Sequence, residues 1–159
     1  MDASMNATLN TLEMDSHFFL NGVFTLDDDE ARRSVVDNTN PVLWLAGHLL
    51  NSRKYLLDLF GEVYELPWEM KFREKYDPSV DYPTMAEMKD AFVEISTALF
   101  EKMQQASDDH FTKAIDWDLP NKDKTVRGAF LFYTYHEAWH LGQIAFVRKG
   151  MGMEGLVSH

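Results

Sequence analysis

His136 and His140 are the two residues of this chain whose spacing most plainly suggests chemistry. They lie in Phe130-Leu-Phe-Tyr-Thr-Tyr-His-Glu-Ala-Trp-His-Leu-Gly-Gln-Ile-Ala-Phe146. On a helix, residues four apart stand one turn above the other on one face, where two imidazoles can chelate a single metal ion. With Glu137 between them they also spell H-E-x-x-H, the zinc-protease motif. A zincin needs a third ligand downstream, a histidine in H-x-x-G-x-x-H or a glutamate on a following helix. Here Leu-Gly-Gln-Ile-Ala-Phe follows His140, and Glu154 sits in a short glycine-rich tail. A zinc hydrolase of this type is the weaker reading.

Two other patterns fail on context. Glu137-Ala-Trp-His140 is half of a di-iron carboxylate site, which needs a second E-x-x-H and further glutamates on other helices. Glu94-Ile-Ser-Thr97 and Glu13-Met-Asp-Ser16 lack the histidine. Gly150-Met-Gly-Met-Glu-Gly155 fits G-x-G-x-x-G, but that fingerprint belongs between a strand and a helix. This copy follows a helix and opens a tail.

A third ligand must come from elsewhere. His48 is the other histidine at an inward-looking helical position, flanked by Trp44 and Tyr55 in projection. His48, His136 and His140 with an open fourth position describe a catalytic type of metal site. The competing reading is a set of core histidines satisfied by hydrogen bonds, and spacing leaves both open. His17 reads as a boundary residue, and His110, beside Asp108 and Asp109, as part of a surface loop.

These residues need long helices to carry them. Leu9, Leu12, Phe19, Leu20 and Val23 predict a first helix over about 6–24, weakened at its end by Asn21-Gly22. Leu26-Asp-Asp-Asp-Glu30 reads as the capped start of a short helix. The second long helix begins at Asn40 as N-cap with Pro41 in the first position, and runs to Gly61. The third opens on a capping box, Thr84-Met-Ala-Glu87, and continues to about Gln105. The fourth runs from near Thr125 to Lys149-Gly150. About twenty residues between the second and third, rich in aromatics and proline, read as a long crossover packed on the bundle. The expectation is an all-α four-helix bundle forming one domain, 1–159.

Composition excludes several functions. A net charge of −11 argues against nucleic acid, since phosphate binding needs a basic face. With no cysteine there is no zinc finger and no thiol nucleophile, so a metal must be held by imidazole or oxygen ligands. The N-terminus has no basic or apolar signal region, and no apolar run spans a bilayer. A cytoplasmic protein with no membrane partner is expected.

Asn40-Pro-Val-Leu-Trp-Leu-Ala-Gly-His48 and Tyr135-His-Glu-Ala-Trp-His-Leu-Gly-Gln-Ile144 together resemble the DinB-like superfamily, which includes the YfiT-type proteins. The resemblance covers nearly the whole chain. It implies up-down-down-up connectivity, with the long connection between helices 2 and 3 running the bundle's length. It implies a divalent metal, zinc or nickel, on His48, His136 and His140, and a homodimer. Characterised members include enzymes that join low-molecular-weight thiols to electrophiles, and a thiol-dependent isomerase. A small-molecule substrate, such as a low-molecular-weight thiol, is therefore expected, with transferase chemistry ahead of hydrolase. A non-catalytic dimeric bundle with a structural or vestigial metal site is the alternative.

Other residues near these motifs are candidates for supporting roles. Gln143 lies one turn beyond His140 and could fix an imidazole or bind a ligand. Glu137 projects about 60° from His140 on a helical wheel, and could be a general base, a partner of a histidine or a bundle contact. Trp44 and Tyr133 are candidate pocket walls, and Trp68 and Tyr76 could cover the site.

Overall fold

The structure, a computed structural model, describes residues 2–36 and 39–157; Met1 and Ser158–His159, the ends of the expected domain, lie outside them. Among these residues it is all-helical, with one isolated bridge, Ala114 to Thr125, and no strand. Four long helices dominate: α1 (Ala3–Phe18), α3 (Val42–Asp58), α4 (Met85–Gln105) and α6 (Val126–Gly150). Between them lie single turns: α2 (Asp28–Ala31), a 3-10 turn at Glu69–Phe72 and α5 (Asp108–Phe111).

Side-chain caps set most starts. The Asp2 carboxylate accepts from the N–H groups of Ser4 and Met5, which starts α1 three residues earlier than the apolar pattern suggests. The helix ends in a widened π turn, Phe19–Val23, over the predicted weak point at Asn21-Gly22. A β-carbon on Gly22 would lie 2.3 Å from Leu156, so the tail closes onto that turn. Thr84 and Glu87 form the capping box of α4, and the Thr125 hydroxyl caps α6. The start of α3 differs by one residue from expectation. Pro41 is the cap and Val42 the first helical residue, because the Asn40 amide oxygen instead accepts from the N–H of Tyr76 on the crossover.

Direction follows from the contacts. Arg127 at the start of α6 pairs with Asp2 at the start of α1, and Arg148 near its end donates to the Gly22 carbonyl at 2.6 Å. Helices α1 and α6 are therefore parallel. Mid-helix Arg53 of α3 reaches Ser96 in mid-α4, and Glu62 just past α3 pairs with Lys102 in the last turn of α4. Those two are also parallel. Against α6, α3 runs the other way: His48 meets His136, Tyr55 meets Tyr133 and Phe60 meets Phe130. The order is up-down-down-up, and the crossover must return along the bundle to make α3 and α4 parallel.

One core of apolar side chains joins all four long helices, including Leu12, Phe19, Leu49, Phe92, Leu99, Phe130 and Ile144. Burying each such side chain contributes about 1.5–3 kcal/mol. The first half of α3 is buried nearly all round, because α4, α6 and the crossover each take a face. No helix among the described residues is long and apolar enough to cross a membrane.

Candidate metal centre

Antiparallel packing of α3 on α6 brings His48 to the pair presented by α6. The Nε2 of His136 lies 3.2 Å from that of His48 and 3.1 Å from that of His140. One ligand atom from each of the three lies within 4.8 Å of the others. Nitrogens on a tetrahedral zinc at 2.0–2.1 Å would stand about 3.3–3.4 Å apart.

What lies behind each ring decides between a metal site and a hydrogen-bonded cluster. Nδ1 of His48 faces the Phe72 carbonyl at 3.1 Å, an acceptor only, so that nitrogen carries the proton. Nδ1 of His140 faces Oε1 of Gln143 at 2.6 Å, with the same consequence. Nδ1 of His136 faces the Ser52 hydroxyl at 3.4 Å, and that hydroxyl donates to the His48 carbonyl. With all three protons placed outward, three Nε2 lone pairs converge on one point. Lone pairs 3.1–3.2 Å apart with no proton between them repel, and a cation at their centre removes the conflict. The donor set fits a divalent metal.

Burial tunes the same nitrogens. It pulls all three imidazoles below the ordinary histidine value. For His136 the effect is largest, down to about 4, with the neighbouring His140 and His48 adding to it. For His48 and His140 the bonds to Phe72 and Gln143 act in the opposite sense. All three are therefore neutral near pH 7, as metal ligation requires.

The surrounding residues have specific places. Trp44 stacks on His48, ring centroids 4.8 Å apart and 12° from parallel. Tyr133 stands edge-on to His136 at 6.0 Å. A hollow of about 360 Å³ opens beside His140, lined by Thr39, Asn40, Leu45, Gln143, Phe146 and Val147. Gln143 is thus at once the partner of His140 and part of the wall. Trp44 and Tyr133 pack the far sides of the histidines and do not line this hollow. Nor do Trp68 and Tyr76, expected as a cover: both are half-buried against the core, and Tyr76 stacks on Tyr82.

The crossover acts through Phe72 instead. A β-carbon on Gly47 would lie 2.2 Å from the Phe72 ring, so glycine there lets the crossover close onto α3. That contact delivers the Phe72 carbonyl to the neighbouring His48. The Gly-His dipeptide is one device.

Glu137 is not available as a general base. It is 1% exposed, and both of its oxygens are bonded to the buried Arg53 guanidinium, one through Nε at 2.9 Å. The remaining Arg53 donors reach Ser16 at 2.6 Å, Ser96 at 2.7 Å and the Leu12 carbonyl at 3.0 Å. All five N–H groups are used, and the hub ties all four long helices together. Arg53 was not singled out from the sequence. Its signal was there: it continues the buried stripe of Leu49 and Leu56, where a lone arginine demands a buried partner. Asp15, nearby and 3% exposed, is pushed up to about 7 by burial and by the Glu137 charge, with Arg53 pulling the other way.

The other histidines stand apart. His17 is exposed beside Asn21. His110, expected in a surface loop, is half-buried on α5, stacked on Phe60 at 4.6 Å.

The sequence pattern of the DinB superfamily matches residues 19–144, a span that contains all three converging histidines. Among solved structures the chain is similar to the conserved protein of locus from Enterococcus faecalis, with a TM-score of 0.70. The two are 15% identical, and the match covers 96% of this chain and 99% of that one, a likeness of fold. No curated protein matches the sequence. With a family pattern spanning most of its length, this chain belongs to the DinB superfamily.

Proposed function

We propose that this protein is a divalent-metal-dependent enzyme acting on a small molecule, with His48, His136 and His140 as its metal ligands. Zinc or nickel is the expected ion, and joining a low-molecular-weight thiol to an electrophile is favoured over hydrolysis. The observation that carries this reading is the gathering of one ligand atom from each histidine within 4.8 Å, with the oxygens of Phe72, Ser52 and Gln143 standing behind the three Nδ1 atoms.

A bound divalent ion would supply Lewis acidity and favour the thiolate over the thiol. The chain's own residues do the rest. Phe72, Ser52 and Gln143 fix the imidazoles, and Trp44 holds His48 flat against its own ring. The hollow beside His140 gives a small ligand a place next to the ion, and the side chains lining it carry no formal charge. That wall suits an uncharged part of a substrate, with Asn40 and Gln143 as hydrogen-bonding groups and Leu45, Phe146 and Val147 as apolar surface. This open flank also favours an enzyme over a bundle with a sealed structural ion.

Metal analysis of protein purified without a histidine tag is the direct test. Near-stoichiometric zinc or nickel that is lost in His48→Ala, with the helical circular-dichroism spectrum kept, supports the site. Full occupancy in His48→Ala would remove the third ligand and the reading with it. Loss of free thiol when the loaded protein meets small thiols and electrophiles then tests the reaction.

A further inference from the structure

We propose that the hollow between α1 and α6 over Asp15 is a binding site for a small organic cation, an amine whose apolar body is about the size of a benzene ring. The hollow measures about 250 Å³. An apolar cavity of about 150 Å³ takes benzene, so a ring and an amino group both fit. Asp15 and Phe18 come from α1 and Leu141 and Gly142 from α6, with Leu156 of the tail closing one side. A β-carbon on Gly142 would meet nothing within 4 Å, so the space reaches down to the α6 backbone. Met14 and Val157, 52% and 55% exposed, stand at the mouth, and Asp15, 3% exposed, lies at the bottom.

Asp15 is the one charged residue of this lining among the described residues, and its bonding is incomplete. Its Oδ2 is buried with no hydrogen-bond partner among those residues. A buried acceptor left without a donor carries a cost that a donor arriving from outside removes. Arg53, the cation that acts on Asp15, has no donor to spare. Its N–H groups all go to Glu137, Ser16, Ser96 and the Leu12 carbonyl. With Asp15 ionised, the two carboxylates and the one guanidinium sum to −1 in a region shielded from water, and a single cation cancels that charge. Burial, and after it the Glu137 charge, hold the carboxyl at about 7 against the pull of Arg53, as befits a carboxylate without its counter-ion.

The chemistry of the lining selects the ligand. Every other side chain around the hollow is apolar or, at Gly142, absent. Recognition is therefore one charge-assisted hydrogen bond at the bottom and apolar contact above it. An anion is opposed by Asp15, by Glu137 and by the chain's net charge of −11. An alcohol would supply a donor but leave the charge uncancelled. No residue is shared with the hollow beside His140, so this is a second site that stands apart from the metal reading.

A nuclear magnetic resonance titration of the untagged full chain with cyclohexylamine, benzylamine and phenethylamine, at about one pH unit above the Asp15 value, is the test. At least one amine should bind saturably with a Kd of about 1 mM or tighter, a modest affinity for about nine heavy atoms, and shift the amides of Asp15 and Gly142. Phenethyl alcohol and 3-phenylpropionate, with a similar apolar body and the wrong charge, should bind roughly tenfold more weakly or not at all. Asp15→Asn, which keeps the shape and removes the charge, should cost the amine roughly tenfold or more and leave the alcohol unchanged. Gly142→Leu should abolish amine binding by filling the hollow while helicity is kept. His48→Ala should bind the amine as the parent does, which separates this site from coordination at the metal centre. No saturable binding by any of the three amines would overturn the proposal. So would amine binding indifferent to Asp15→Asn, or binding lost in His48→Ala.

Discussion

Glu137 stands between two candidate metal ligands in sequence, yet its carboxylate is bonded to Arg53 in the middle of the bundle, 84 positions away in the chain. A helix turns Glu137 onto a different face from His136 and His140, so the two histidines look toward α3's histidine while Glu137 looks into the core. The four-residue step suits the pair of ligands. The residue between them serves the fold.

Removing one partner from a buried ion pair leaves an uncompensated charge. Glu137→Ala is expected to cost about 3–5 kcal/mol of unfolding free energy, and Arg53→Ala a similar amount. The double variant Arg53→Met/Glu137→Leu should recover most of that loss, because an apolar pair needs no compensation. Urea titration with unchanged slope is the measurement. A cost below about 1 kcal/mol for Glu137→Ala would show that the pair contributes no more than an ordinary hydrogen bond.

Gly47→Ala tests whether the crossover sets the metal site. The new methyl would start 2.2–2.5 Å from three atoms of the Phe72 ring, so ring and backbone must move. We expect about 1–3 kcal/mol of destabilisation. Metal affinity should fall in parallel, because His48 loses the carbonyl that orients it. An unfolding curve and a chelator competition on the same preparation separate the two effects. Unchanged affinity in a destabilised protein would mean that the Phe72 carbonyl is dispensable.

Gln143→Ala removes the acceptor behind His140 without removing a ligand. Partners in this position are typically worth about 10–100-fold in metal affinity. His136→Ala and His140→Ala should abolish stoichiometric binding, and Gln143→Ala should fall between these and the parent. A Gln143→Ala protein as depleted as His140→Ala would make Gln143 a ligand in its own right.

Asp15 should impose a pH dependence opposite in sign to the usual acid loss. Its folded-state value, about 7, lies above the ordinary 3.8, so between those values the folded chain holds the proton and the unfolded chain does not. Its contribution to stability is present below about pH 4, declines as pH rises toward 7, and is flat beyond. The three depressed histidines act in the opposite direction below the ordinary histidine value, so the comparison must be made with Asp15→Asn. The stability of the parent relative to Asp15→Asn should fall by on the order of 2–4 kcal/mol across that span. A difference independent of pH would show that Asp15 is ionised in the fold.

The long helices were legible because their caps and apolar spacing are local. Thr84 with Glu87 marks the start of α4, and Thr125 and the basic last turn mark the two ends of α6, each signal lying at the terminus it sets. His48 was legible as a lone polar group among core residues, and its companions as an i, i+4 pair. Arg53 was harder, since its partners come from three other helices and no local rule links Ser16, Ser96 and Glu137. The role of the crossover was misplaced for the same reason. Trp68 and Tyr76 are its conspicuous residues, but the contact that matters is a backbone carbonyl, which every residue possesses. The cap of α3 slipped by one position because Asn40 had a distant use.

The seat of Phe72 on Gly47 would make metal binding at His48 and the packing of the crossover a single linked equilibrium. An ion held by His48 favours the state in which that carbonyl is in place, and by reciprocity a docked crossover raises the affinity for the ion by the same factor. Part of an ion's binding free energy would then be spent on holding in place a segment that makes no direct bond to it. Sequence change anywhere along that segment can retune the site without altering a ligand.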